Sequence, residues 1–139
     1  MAKNRTILIV DDDDDDRALF VDAMREFDST IQCISANDGH DALKFLKNEK
    51  ITLPDYIFLD LNMPRLNGKQ CLAEIKRSSR LGHIPVIIYS TSRRKEDIEE
   101  TKKLGARHFI TKPTLFNEII EAIHSVLDPE NKKNASPAV

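Results

Sequence analysis

The chain has 139 residues, about the size of one domain, and its hydrophobic fraction of 40% excludes an intrinsically disordered protein. The 21 basic and 23 acidic residues leave a formal charge of -2, but six of the acids form one uninterrupted run of aspartates, residues 11–16. No apolar stretch is long enough to span a membrane, and the N-terminus does not have the pattern of a secretory signal peptide. We therefore expect one domain in the cytoplasm.

Five short apolar runs predict the strands of a parallel sheet that is covered by helices on both faces. The runs are residues 6–10, 31–35, 56–59, 86–89 and 108–110. Between them the apolar residues follow helical spacing, and in the first such segment Ala18, Leu19, Ala23, Met24 and Phe27 are predicted to form the buried face. Strand and helix alternate five times, which favours an open, doubly wound α/β sheet.

The predicted elements end near residue 127, and the remaining residues contain few apolar side chains. A barrel of alternating strands and helices needs about 200 or more residues, so this chain is too short for one. We expect a folded domain over residues 1–127 and a flexible C-terminal tail over residues 128–139.

Polar side chains follow four of the five predicted strands directly. Asp11 and Asp12 follow the first run, Asp60 the third, Ser90 the fourth, and Lys112 lies just beyond the fifth. Ligands of open parallel sheets bind beyond the carboxyl ends of the strands. These side chains are therefore predicted to meet at one edge of the sheet.

Carboxylates with neutral oxygen donors suit Mg²⁺, which uses few protein carboxylates and leaves positions for phosphate oxygens. Lys112 could neutralise one phosphoryl oxygen and Ser90 could donate a hydrogen bond to another. A carboxylate can itself be the nucleophile and form an aspartyl phosphate. Asp60, at the end of the central strand, is the predicted phosphoacceptor.

The chain resembles the receiver domains of response regulators in two-component signalling over residues 5–127. The matching segments, in order, are residues 7–13, 37–43, 54–68, 84–90 and 105–113. The resemblance implies the flavodoxin-like (βα)5 receiver fold and a signalling domain that is not an enzyme acting on other substrates. A narrower similarity is to single-domain regulators that partner bacterial phytochrome-type kinases. It rests on residues 90–92, on residues 110–112 and on the lack of an output domain.

The resemblance also implies a role for each strand-end residue. Asp60 would accept the phosphoryl group from a kinase histidine, and Asp11 and Asp12 would be the acidic pair. The metal would be held by a carboxylate of that pair, by Asp60 and by the backbone carbonyl of Asn62. Lys112 would bind the phosphoryl group.

Further implications concern the phosphorylation switch. Ser90 would move toward the phosphoryl group and Phe109 would be the switch aromatic residue. The altered surface would comprise the fourth helix, the fifth strand and the fifth helix. The resemblance also implies a cis bond between Lys112 and Pro113.

The expected partners are a sensor histidine kinase, phytochrome-like on the narrower similarity, or a phosphotransfer protein. The output would be an unidentified downstream protein or a homodimer. Basic residues of the fourth predicted helix are interleaved with acidic ones and lack aromatic neighbours, so we expect no DNA binding. No membrane partner is expected.

Two alternatives and one unassigned feature remain. The chain could be a phosphorylation-independent adapter with the receiver fold, or a Mg²⁺-dependent phosphatase with Asp60 as its nucleophile. The phosphatase would need a carboxylate as general acid two residues after Asp60, where the chain has Asn62. The surplus aspartates, Asp13 to Asp16, are predicted to be a solvated start of the first helix, favoured there by the helix dipole.

Overall fold

The computed structural model describes residues 5–128, which form one five-stranded sheet and five helices. The strands are β1 (Thr6–Val10), β2 (Gln32–Ala36), β3 (Tyr56–Leu59), β4 (Val86–Ser90) and β5 (His108–Thr111). The helices are α1 (Asp14–Phe27), α2 (Gly39–Leu46), α3 (Gly68–Arg77), α4 (Lys95–Lys103) and α5 (Phe116–Leu127). The predicted tail lies outside the described residues from residue 129 onward. Within them, no helix combines the length and the apolar character that crossing a membrane requires.

All strand pairs are parallel, and the strand order is β2-β1-β3-β4-β5. The chain therefore places β2 on one side of β1 and then crosses over to add β3, β4 and β5 on the other side. This reversal of direction creates a crevice at the carboxyl ends of β1 and β3. The predicted (βα)5 doubly wound sheet is confirmed.

Alternate residues along the central strands face opposite layers of the core, as the two-residue period of a strand requires. Leu8, Ile57 and Ile88 belong to the layer that contains the buried residues of α2 and α3. Ile7 and Phe58 belong to the layer that contains the buried residues of α1 and α5. Both faces of the sheet are covered, which explains the apolar runs without alternation.

The buried face of α1 differs from the prediction. Ala18 and Leu19 are exposed, whereas Phe20 is fully buried. The ring of Phe20 lies 4.8 Å from that of Phe58 and 5.2 Å from that of Tyr89, measured between centroids. Ala23 and Met24 are buried as predicted. The prediction was wrong for Ala18 and Leu19, because helical spacing alone did not reveal that the sheet offers an aromatic contact to residue 20.

The starts of α1 and α3 are fixed beside the carboxyl edge of the sheet. Asp13 caps α1 by accepting a hydrogen bond from the Asp16 backbone N–H at 3.0 Å. Asn67 caps α3. A Cβ atom on Gly68 would lie only 2.2 Å from the carbonyl oxygen of Asp60, so α3 can start this close to β3 only with glycine at that position.

Candidate functional site

Three aspartates meet where β1 and β3 end. Each of Asp11, Asp12 and Asp60 offers a carboxylate oxygen, and these oxygens lie within 4.8 Å of one another. Asp11 and Asp60 are buried, whereas Asp12 is exposed. The parallel register of β1 and β3, in which Val10 pairs with Leu59, brings the residues that follow the two strands together. The structure thus assembles the predicted acidic group.

Asp60 is a buried carboxylate in a mixed electrostatic environment. Burial raises its pKa to about 6, with a smaller upward contribution from Asp11, while Lys112 opposes the rise. Hydrogen bonds from the backbone N–H groups of Leu61, at 2.8 Å from Oδ1, and of Asn62 also lower the pKa. At neutral pH the group is therefore mostly ionised, as both a nucleophile and a metal ligand must be.

Lys112 brings a buried cation to these carboxylates. Its Nζ lies 2.7 Å from Asp11 Oδ2, 2.7 Å from Asp16 Oδ2 and 3.8 Å from Asp60 Oδ2. Burial alone would lower the pKa of Lys112, but the adjacent carboxylates of Asp11 and Asp16 raise it above its usual value. The ammonium therefore remains charged throughout the physiological range.

The contact with Asp16 corrects the prediction that all the surplus aspartates face water. Asp13, Asp14 and Asp15 are exposed, but the Asp16 side chain is only 34% exposed and bonds Lys112. The first turn of α1 directs Asp16 back toward the carboxyl edge of the sheet. Sequence spacing offered no signal for this contact, because Lys112 lies 96 positions away.

The predicted switch residues lie on the two strands beyond β3. Ser90 is fully buried, and its hydroxyl oxygen accepts a hydrogen bond from the Ser92 backbone N–H at 3.3 Å. The Lys112 backbone N–H donates to the Ser90 carbonyl at 2.7 Å. Phe109 is half-buried against the core layer of α2 and α3, beside Ile88 of β4.

The expectation of a cis bond between Lys112 and Pro113 is wrong for this structure, since the described residues contain no cis peptide bond. The trans form is the more stable isomer of an X–Pro bond by about 0.5–1 kcal/mol.

The acidic group fits a hard divalent cation. Asp11 Oδ2 is buried and contacts the Lys112 ammonium, but no described group donates a hydrogen bond to it with favourable geometry. A buried carboxylate oxygen without a hydrogen-bond donor is costly, and a metal ion beside it would supply a further favourable interaction. Two buried carboxylates and the exposed Asp12 supply the oxygen ligands that Mg²⁺ and related ions prefer.

Arg65 has a structural role that the sequence did not reveal. It has a φ of 64°, uncommon for a residue other than glycine, and its guanidinium pairs with Asp38. Asp38 also caps α2 by accepting from the Asp41 backbone N–H at 2.8 Å. The ion pair between Arg65 and Asp38 therefore connects the loop after β3, which contains Asn62, to the start of α2.

A second unpredicted network connects the loop after β4 with two helices. The Ser92 hydroxyl donates to Asp97 Oδ2 at 2.5 Å, and the Lys69 ammonium lies 2.8 Å from Asp97 Oδ1. The Thr111 hydroxyl donates to the Ser92 carbonyl at 3.0 Å. The network joins α3, α4 and β5 around the segment that follows Ser90.

Comparison with known proteins gives a consistent family assignment. The family model of the response regulator receiver domain matches residues 7–124. The response regulator Rcp1 of Synechocystis sp. is 29% identical over 126 residues, which cover 88% of this chain and 86% of that protein.

Two solved structures share the fold closely. The phosphorylated cyanobacterial phytochrome response regulator RcpA has a TM-score of 0.83 and 30% identity, with 91% of this chain and 96% of that chain covered. The Mn²⁺-bound form of the response regulator Rcp1 has a TM-score of 0.78 and 31% identity, with 88% and 93% covered. Both similarities extend over nearly the whole described chain.

Proposed function

The chain belongs to the response-regulator receiver family of two-component systems, and from this premise we propose that Asp60 accepts a phosphoryl group from the phosphohistidine of a partner protein. The observation that carries the proposal is the environment of Asp60. This buried carboxylate has a pKa of about 6 and lies close to both an acidic pair and a buried ammonium. Such an arrangement supports a nucleophile whose product gains negative charge.

In the proposed reaction, a carboxylate oxygen of Asp60 attacks phosphorus and forms an acyl phosphate. The bond between phosphorus and the histidine nitrogen breaks, and its electron pair stays on the imidazole. Lys112, with Nζ 3.8 Å from Asp60 Oδ2, is close enough to stabilise the added charge after a small movement. Hydrolysis of the acyl phosphate then releases phosphate and restores the Asp60 carboxylate.

We further propose that Asp11, Asp12, Asp60 and the backbone carbonyl of Asn62 hold Mg²⁺. When bound, the ion would offset the negative charge of the phosphoryl oxygens. The clustered carboxylate oxygens and the incompletely satisfied Asp11 Oδ2 support this assignment. So does the similarity to an Mn²⁺-bound response regulator.

The proposed output is a change of the surface formed by α4, β5 and α5. A phosphoryl oxygen would attract the Ser90 hydroxyl, and Phe109 would turn into the space that the loop after β4 leaves. The burial of Ser90 and the half-buried position of Phe109 support the proposal. In α4, Thr101 is the single fully buried residue, so this helix can move at a small cost in packing.

The proposed phosphodonor is a sensor histidine kinase, phytochrome-like in view of the similarity to a phytochrome response regulator, or a phosphotransfer protein. The altered surface would then bind a downstream protein or a second copy of the chain. On this proposal the protein carries out only its own phosphorylation and dephosphorylation.

The test is labelling by acetyl phosphate with Mg²⁺, followed by intact mass and peptide mapping. We expect one added phosphoryl group on Asp60 in the wild-type protein, and none in Asp60→Asn or after removal of Mg²⁺ with EDTA. Asp41→Asn, an exposed carboxylate in the first turn of α2, is the matched control and should label normally. Equally fast labelling of Asp60→Asn would exclude Asp60 as the acceptor.

A further inference from the structure

Asp16 is the one member of the surplus aspartates whose carboxylate contacts the proposed phosphorylation site. It reaches Lys112 from the first turn of α1, with 2.7 Å between Oδ2 and Nζ. Its neighbour Asp15 is exposed and makes no side-chain hydrogen bond or ion pair among residues 5–128.

The distances around the Lys112 ammonium are unequal. Nζ lies 2.7 Å from both Asp11 and Asp16 but 3.8 Å from Asp60. The first two distances are those of close ion pairs, and the one to Asp16 is also a hydrogen bond, whereas the third is too long for a hydrogen bond. The cation is therefore held away from the acceptor by two other carboxylates, and only one of these, Asp16, lies outside the proposed metal-binding group.

We propose that Asp16 is a positioning residue that holds Lys112 away from Asp60 before phosphorylation and competes with the phosphoryl group for Lys112 afterwards. The inference rests on the proposed function, since it concerns the same ammonium and the same acceptor. On this proposal, a residue of α1 joins the groups that set the balance between the unphosphorylated and the phosphorylated protein.

The proposal has opposite consequences for two ligands. Without the Asp16 carboxylate, the ammonium approaches Asp60 and repels Mg²⁺ there, so the affinity for Mg²⁺ falls. With Mg²⁺ saturating, a phosphoryl analogue on Asp60 gains the ammonium without breaking its bond to Asp16, so the affinity for the analogue rises. A variant that merely lost local structure would instead have a lower affinity for both ligands.

The experiment measures the affinity of the full chain for Mg²⁺ alone and for beryllofluoride at saturating Mg²⁺, by calorimetry. We expect Asp16→Asn to bind Mg²⁺ about fivefold more weakly and beryllofluoride about fivefold more tightly, the factor that an ion pair worth about 1 kcal/mol implies. Asp15→Asn removes the same charge from the adjacent position and should change each affinity by less than twofold. Asp16→Glu, which restores the carboxylate, should recover most of the wild-type values.

A double-mutant cycle tests whether Asp16 acts through Lys112. In a Lys112→Met background, Asp16→Asn should affect Mg²⁺ binding no more than Asp15→Asn does. An unchanged effect of Asp16→Asn in that background would overturn the proposal, as would identical affinities of Asp16→Asn and Asp15→Asn, or weaker binding of both ligands. If Lys112→Met does not fold, the test rests on the Asp16→Asn variant alone. Weaker binding of Mg²⁺ together with tighter binding of beryllofluoride supports the proposal, and any other combination overturns it.

These measurements separate the inference from the proposed function. If wild-type Asp60 is not labelled by acetyl phosphate, the phosphoacceptor role fails, while the Mg²⁺ affinities of the Asp16 and Asp15 variants still report on Lys112. If Asp60 is labelled but the two variants are indistinguishable, only the role of Asp16 fails.

Discussion

The ammonium of Lys112 lies 2.7 Å from a carboxylate oxygen of Asp11, and both side chains are almost completely buried. The two residues follow β5 and β1, strands that β3 and β4 separate in the sheet. The pair therefore spans the carboxyl edge of the sheet above the proposed acceptor. It neutralises part of the negative charge that two buried aspartates create.

Lys112→Met should lower the free energy of unfolding in EDTA by about 3–5 kcal/mol, because removal of one partner leaves a buried charge unpaired. The same variant should bind Mg²⁺ more tightly, since the competing cation is gone. Urea unfolding and calorimetry measure the two effects. Lys44→Met, at an exposed site in α2, is the matched control; equal stability of both variants would contradict the importance of the buried pair.

Asp60→Asn should be more stable than the wild type in EDTA at pH 8. The folded-state pKa of Asp60 is about 6 against an ordinary value of 3.8, so the wild type loses stability as the pH rises from about 4 to 6. At about 1.4 kcal/mol per unit, the full difference is about 3 kcal/mol. Urea unfolding measures the difference in the free energy of unfolding between the two proteins, which should be smaller at pH 4.5 than at pH 8. A difference that does not depend on pH would show that the ionisation of Asp60 is not its cause.

Mg²⁺ should stabilise the wild-type protein but have little effect on Asp60→Asn, because the amide replaces one of the charged ligands. A ligand that binds only the folded state raises the free energy of unfolding by about 2.7 kcal/mol at one hundred times its Kd. Thermal unfolding with EDTA and with graded Mg²⁺ measures this. Equal stabilisation of both proteins would argue against Asp60 as a ligand.

Gly68→Ala should disturb both stability and the acceptor. The added Cβ would lie 2.2 Å from the Asp60 carbonyl oxygen, so either the start of α3 or the end of β3 must move. Overpacking of this kind costs about 1–3 kcal/mol. Urea unfolding should show this loss and acetyl phosphate labelling should slow, while Ser79→Ala at an exposed position should leave both unchanged.

Asp38→Ala should cost about 1 kcal/mol at pH 7 through loss of the α2 cap. The backbone N–H of Asp41, and secondarily Arg65, lower the pKa of Asp38. Its contribution is therefore present above the unfolded pKa of about 4 and is lost as the pH falls through the lower folded value. Urea unfolding should show the difference from the wild type shrinking in acid, with Asp41→Ala as the control.

Much of the fold could be predicted because its signals are local. Uninterrupted apolar runs mark buried parallel strands, and the predicted runs overlap all five strands of the structure. The position of a residue relative to a strand end is also local, so Asp11, Asp60, Ser90 and Lys112 could be assigned to one edge before any distance was known. The chemistry of their side chains then indicated a phosphorylation site.

Other contacts could not be predicted because they depend on how separate elements approach each other. The choice of Phe20 over Leu19 as a core residue depends on the aromatic rings that β3 and β4 present to α1. The pairing of Arg65 with Asp38 depends on a left-handed backbone conformation that no local pattern announces.

The run of six aspartates illustrates both what can be predicted from the sequence and what depends on the tertiary structure. The sequence by itself determined that this run follows a buried strand and begins a helix, because strand and helix periods are readable from neighbours. Only the tertiary structure decided that Asp11 and Asp16 share the ammonium of Lys112 while Asp15 faces solvent. The physical reason is that an ion pair depends on separation in space, and the first turn of α1 and the residue after β5 come together only when the sheet has formed.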